Sequence, residues 1–215
     1  MSFSMMLSQM SEGMLSTLGI FFLTLLFSMP LGFLVAFGRM SKFKPVSGIT
    51  RIFISIMRGT PLMLQLMVVY FFPYYLFKLP IASWRFPAII VGFSINYAAY
   101  FAEIYRSGIE AIPRGQYEAA AILGYNKVQT FLKIILPQVI KIILPSVTNE
   151  IITLVKDTSL AYSLSYMEMF SMAKQIAARE TTLMPFAISA VFYYVFNLLV
   201  TFVMEKLEKK MNYYK

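Results

Sequence analysis

The sequence predicts an all-α membrane protein with five spanning helices, and three observations carry that reading. Of 215 residues, 59% are hydrophobic and only 13% charged, with a mean hydropathy of +0.68; a soluble domain carries about 25% charged residues. Five apolar runs approach the roughly 20 residues a helix needs to cross a hydrocarbon core of about 30 Å. The basic residues also collect between alternate runs, as topology requires. A formal charge of +9 would suit nucleic acid, but the basic residues are separated by apolar runs and form no aromatic-studded basic surface. With no cysteine and no histidine, disulfides, thiolate nucleophiles, imidazole bases and the usual zinc ligands are excluded, and no metal site is expected.

The first span is about 14–37. The residues before it carry no lysine or arginine, and its apolar run is too long for a signal-peptide core, so it is expected to be retained. Pro30 and Gly32 lie inside it, which membrane helices tolerate when neighbours satisfy the freed backbone groups. A basic loop, GRMSKFK, follows. Thr50 to Met57 reads as an amphipathic lead-in to a sharp start at Arg58-Gly59-Thr60-Pro61. Thr60 is the expected N-cap and Pro61 suits the first turn of the second span, 61–77.

After a connection containing Trp84, suited to the membrane interface, the third span runs over 87–105. Gly92, Asn96, Ala99 and Glu103 recur at helical spacing there, a stripe that should face protein. The segment 113–137 is different in kind: a short, partly polar helical hairpin. Gln116 to Leu123 has strong helix formers, and Gly124 stands where a left-handed stop needs no side chain. Asn126 with Gln129 forms a variant capping box, and Pro137 is expected to close the second helix. The fourth span, 140–164, is interrupted by Pro145 and carries Glu150, Lys156 and Asp157; the fifth, 183–204, ends in a charged tail. With no internal repeat or separate soluble domain, residues 1–215 read as one transmembrane domain.

On the side shared by the first loop, the 113–137 segment and the tail lie 14 lysines and arginines; the other side has 4, and Lys156 completes the 19. That bias places the basic side in the cytoplasm, with the N-terminus outside and the C-terminus inside.

The hairpin carries a resemblance. Glu118-Ala119-Ala120, three residues, Gly124, nine residues, Ile134, one residue, Leu136-Pro137 match the EAA signature of ATP-binding-cassette import permeases. The stretches RGTPLMLQ, AYFAEIYRSGIEAIPRGQYEAA and KDTSL resemble the polar-amino-acid branch, which serves histidine-, glutamine-, arginine- and cystine-type substrates. The likeness covers about Arg58 to Glu168. It implies a type I importer permease fold in a bacterial cell membrane, with 113–137 as a cytoplasmic coupling helix docking through Glu118, Ala119, Ala120 and Gly124. The implied partners are an ATPase homodimer holding ATP and Mg, a second permease of the same or a similar chain, and an extracytoplasmic binding protein that delivers an amino acid. The chain has no Walker A sequence, so it is no ATPase and needs no cofactor of its own.

Ionisable groups at membrane depth are expensive unless they face partners or water, so Glu103, Glu150, Lys156 and Asp157 are the first candidates for a substrate path. Glu103 sits one turn before Arg106, which also suits an ion pair. Lys156-Asp157-Thr158-Ser159 brings opposite charges and hydroxyls into one turn, near Thr153, and those groups match the two ends of a zwitterionic amino acid. Asn96 and Tyr100 complete the candidate pathway. Two other classes fit less well. A secondary ion-coupled transporter leaves the hairpin unexplained and calls for inverted repeats. An intramembrane enzyme needs a nucleophile or metal cluster that no spacing here recommends.

Overall fold

The computed structural model describes residues 2–211, and these are helical almost throughout, with no strand among them. In order the elements are α1 (Phe3–Arg39), α2 (Lys44–Gly59), α3 (Leu62–Phe77), α4 (Arg85–Glu110), α5 (Arg114–Ile122), α6 (Lys127–Thr130), a π turn (Phe131–Ile135), α7 (Leu136–Asp157), a 3-10 turn (Thr158–Leu164), α8 (Met169–Glu180) and α9 (Met184–Met211). Four helical segments are long and apolar enough to cross a membrane; α2 and α3 meet that measure only when taken together across their bend, which gives up to five. Lys215 of the basic count lies outside the described residues.

The body is built around α4. Its most apolar stretch is 72% buried, against 17% for α9, so α4 is read as a protein-facing helix and α9 as largely outward-facing. Hydrophobicity cannot drive helices together in lipid, so close packing must. Small residues supply it: a Cβ on Gly32 of α1 would come within 2.8 Å of Phe101 in α4. Gly92 of α4 likewise takes Leu66 of α3, and Gly108 takes Ile143 of α7. Phe93, Tyr97, Phe101 and Tyr105 fill the remaining volume, and Phe33 stacks on Tyr105 at 4.0 Å. Of the expected stripe, Gly92, Asn96 and Ala99 are buried.

Two local expectations are corrected. Thr60 is not the N-cap of α3: it lies past the end of α2, and its hydroxyl donates back to the Ile56 carbonyl at 2.8 Å. Pro137 does not end a helix. The π turn before it changes the backbone pairing, with Leu136 N–H reaching the Phe131 carbonyl, and the proline then sits in the first turn of α7, where its missing N–H costs nothing.

Helix α8 was not foreseen in the sequence. Its N-cap, Glu168, is fully buried and accepts from the N–H groups of Phe170 and Ser171, both at 2.7 Å. The Tyr193 hydroxyl of α9 donates to the same carboxylate at 3.1 Å. One residue on, Met169 N–H reaches Thr17 of α1, beside Gly13, where an added Cβ would press on the Met169 backbone at 3.0 Å. The start of α8 is thus tied to both terminal spans, to α9 through the Glu168 carboxylate and to α1 through the Met169 N–H.

Candidate functional site

Two regions collect the sequence-predicted residues. The first is the α5–α6 knuckle. Helix α5 ends in a complete Schellman pattern: Gly124 N–H bonds the Ala121 carbonyl and Tyr125 N–H bonds the Ala120 carbonyl, each at 3.0 Å. Gly124 has φ +77°, the left-handed geometry that makes glycine the natural choice. The capping box forms as the sequence suggests, with Gln129 N–H on Asn126 Oδ1 and Asn126 N–H on Gln129 Oε1. Within the Glu118-Ala119-Ala120 triplet, Ala120 packs inward at 1% exposure while Glu118 and Ala119 face outward. Around the tip, Ile122, Leu123 and Val128 stand 87%, 72% and 66% exposed. Pattern reading missed these three, and an apolar pair directly before a helix-stopping glycine was the available signal.

The second region is a polar cluster at membrane depth. Glu150, Thr153 and Asp157 are spaced i, i+3 and i+7, which puts them on one face of α7. Tyr97 of α4 donates its hydroxyl to Asp157 at 2.8 Å. The Arg58 guanidinium, at the end of α2, lies over the Tyr100 ring at 5.2 Å and within electrostatic range of Glu150. Asp157, Glu150, Arg58, Tyr97 and Tyr100 therefore converge. Glu103 is committed to Arg106 through two bonds, at 2.7 and 3.2 Å.

Three predicted residues lie apart from that convergence. Asn96 is buried and donates to the Met57 carbonyl at 3.0 Å and to Gln65 Oε1 at 2.9 Å, closing the α2–α3 break. Lys156 opens onto a different side from its neighbour Asp157: with Ser159 it lines a cavity of about 430 Å³ against Phe186, Ser189 and Tyr193. Ser159 also donates to the Lys156 carbonyl at 2.7 Å. Lys156 thus lines a separate groove while staying within electrostatic range of Asp157.

The chain matches the model of a family described as binding-protein-dependent transport system inner membrane component over residues 28–213. It is 34% identical over 208 residues to the L-cystine transport system permease protein TcyB of Bacillus subtilis, covering 95% of this chain and 87% of that one. It is 36% identical to the arginine transport system permease protein ArtQ of the same organism, covering 94% and 91%. A crystal structure of an amino acid ABC transporter with histidines superposes with a TM-score of 0.86 at 30% identity, covering 98% of this chain and 99% of that one. The MetNI methionine ABC transporter, at 18% identity and a TM-score of 0.77, shares the fold. This chain belongs to the family of binding-protein-dependent transport system inner membrane components, the permease subunits of ABC importers.

Proposed function

We infer that this chain is the membrane permease subunit of an ATP-driven bacterial importer for polar amino acids, seated in the cell membrane with the knuckle in the cytoplasm. The observation that carries the reading is near-full-length likeness to amino-acid permeases in a chain with no nucleotide-binding sequence of its own. Charge asymmetry supports the orientation, because the basic connections and the knuckle fall on one side.

In this reading an ATPase homodimer, holding ATP and Mg, grips Glu118, Ala119, Ala120 and Gly124 through the apolar tip of Ile122, Leu123 and Val128. Two permeases, identical or similar, sit above it. The Schellman turn and capping box make the knuckle rigid, so closure of the ATPases moves α7 instead of bending the hairpin. A binding protein outside supplies the amino acid.

The path follows the α7 face that carries Glu150, Thr153 and Asp157, opposite Tyr100. Carboxylates there meet an ammonium and Arg58 meets a carboxylate. Glu103 guards the cytoplasmic end through its pair with Arg106. Asn96 shapes the path through the helix break, and Lys156 with Ser159 borders it on the neighbouring face. The deciding experiment reconstitutes the chain with its ATPase and binding protein and measures ATP-dependent uptake of a labelled amino-acid panel. Uptake that needs all three proteins supports the reading; uptake driven by an ion gradient without the ATPase overturns it.

A further inference from the structure

Helix α2 divides into three sectors, and among the described residues only one packs inward. Thr50 and Ile54 turn toward α1 and α4, where Thr50 meets Gly38. Ile49, Ile52 and Ile56 form a second sector and are 69%, 61% and 50% exposed. Lys44, Arg51 and Ser55 form a third at helical spacing, all exposed. Lys42 lies just before it, and Ser47 ties the start of α2 to the end of α1 by donating to the Arg39 carbonyl at 2.8 Å.

The charges of that third sector have no counterion among the described residues. From residue 13 to residue 102 the sequence holds no Asp or Glu. Arg39 and Arg58 come within range of Glu103, but Lys42, Lys44 and Arg51 form no ion pair among the described residues. A helix with an isoleucine side beside a basic edge suits the acyl–headgroup boundary, where chains take the apolar side and phosphates take the cations.

We propose that α2 is a binding site for anionic phospholipid of the membrane leaflet at the basic end of the molecule: Lys42, Lys44 and Arg51 hold the headgroup phosphate, and Ile49, Ile52 and Ile56 bed against the acyl chains. This rests on the permease reading only for naming that leaflet cytoplasmic. Because α2 runs without interruption to Arg58, the lipid steadies the arm that presents Arg58 to Tyr100 and Glu150.

The test is native mass spectrometry of the full chain from mixed micelles with equal phosphatidylglycerol and phosphatidylcholine. Wild type is expected to retain phosphatidylglycerol in preference. The triple variant Lys42→Gln, Lys44→Gln, Arg51→Gln should lower that retention by at least about tenfold. A charge-keeping variant, Lys42→Arg, Lys44→Arg, Arg51→Lys, should restore it, which separates loss of the site from loss of the fold. Equal retention of both lipids, or unchanged retention in the triple variant, overturns the proposal. Loss of the ATPase from the purified complex with lipid retention intact also overturns it, since the surface then contacts protein. Labelling that puts Lys42 outside the cell, with lipid selectivity kept, leaves the lipid site standing and overturns the cytoplasmic reading instead.

Discussion

Asn96 and Gln65, on different helices, reach the same Met57 carbonyl, at 3.0 and 2.9 Å, and bond each other at 2.9 Å. That pairing closes the gap where α2 turns by 113° into α3. Pro61 removes an N–H from the break, which would leave the last carbonyls of α2 without partners in a medium that offers none. The Gln65 amide also meets the Thr60 carbonyl and hydroxyl, at 3.1 and 2.8 Å. Two amide side chains therefore do the work of a missing helical turn.

Gln65→Leu is expected to lower the thermal stability of the purified protein through the loss of its part-buried hydrogen bonds to Met57 and Asn96, about 0.5–1.5 kcal/mol each. It should also weaken uptake, because Arg58 is carried on the freed end of α2. Gln65→Glu keeps the acceptor and loses the amide donor. It should behave like the leucine variant if donation to Met57 and Thr60 matters, and like wild type if only the Asn96 contact does. A melting curve and an uptake assay on both variants decide.

The Tyr97–Asp157 bond makes a separable prediction. Tyr97→Phe leaves the Asp157 carboxylate without its hydroxyl donor and should destabilise the protein by about 1–3 kcal/mol. Asp157→Asn keeps a hydrogen-bonding group there and should leave the complex assembled while lowering substrate-stimulated transport. Unchanged uptake kinetics in Asp157→Asn would remove that residue from the path.

Much of this was readable from the sequence, and the rest failed for identifiable reasons. The knuckle was legible because caps and left-handed stops act within a few residues, as at Gly124 and Asn126. The helix break was legible at Pro61, but its clasp was not, because Asn96 lies 39 residues from Met57. Pro137 was misread because the π turn had already displaced the bond the proline would have broken. Helix α8 escaped because it is short and amphipathic, and because its capping acid looks like an ordinary loop residue until folding buries it. Which face Lys156 takes could not be read from its neighbour Asp157, because successive residues on a helix point about 100° apart.

Glu168 gives a pH prediction. Burial pushes its carboxyl above the ordinary carboxylate range, and the Phe170 and Ser171 N–H groups only partly oppose that. The folded state therefore holds the proton more tightly than the unfolded state. The resulting stability is fully present below the ordinary carboxylate range and is lost as pH rises through the elevated value. Glu168→Gln should flatten the melting temperature over that interval, and a curve as steep as wild type would show that another group controls it.

Gly124 separates conformation from contact. A Cβ there would meet nothing within 4 Å, so substitution is limited by φ +77° and not by space. Asparagine tolerates this region and should keep coupling close to wild type; alanine should cost about 1 kcal/mol, and β-branched valine more. Leu123→Ser changes no backbone requirement and removes exposed apolar surface at the tip. If the knuckle transmits force, both Gly124→Val and Leu123→Ser lower uptake per ATP hydrolysed, but only the valine variant also loosens the hairpin to hydrogen exchange. Equal uptake per ATP in all four would mean that the ATPase grips the permease elsewhere.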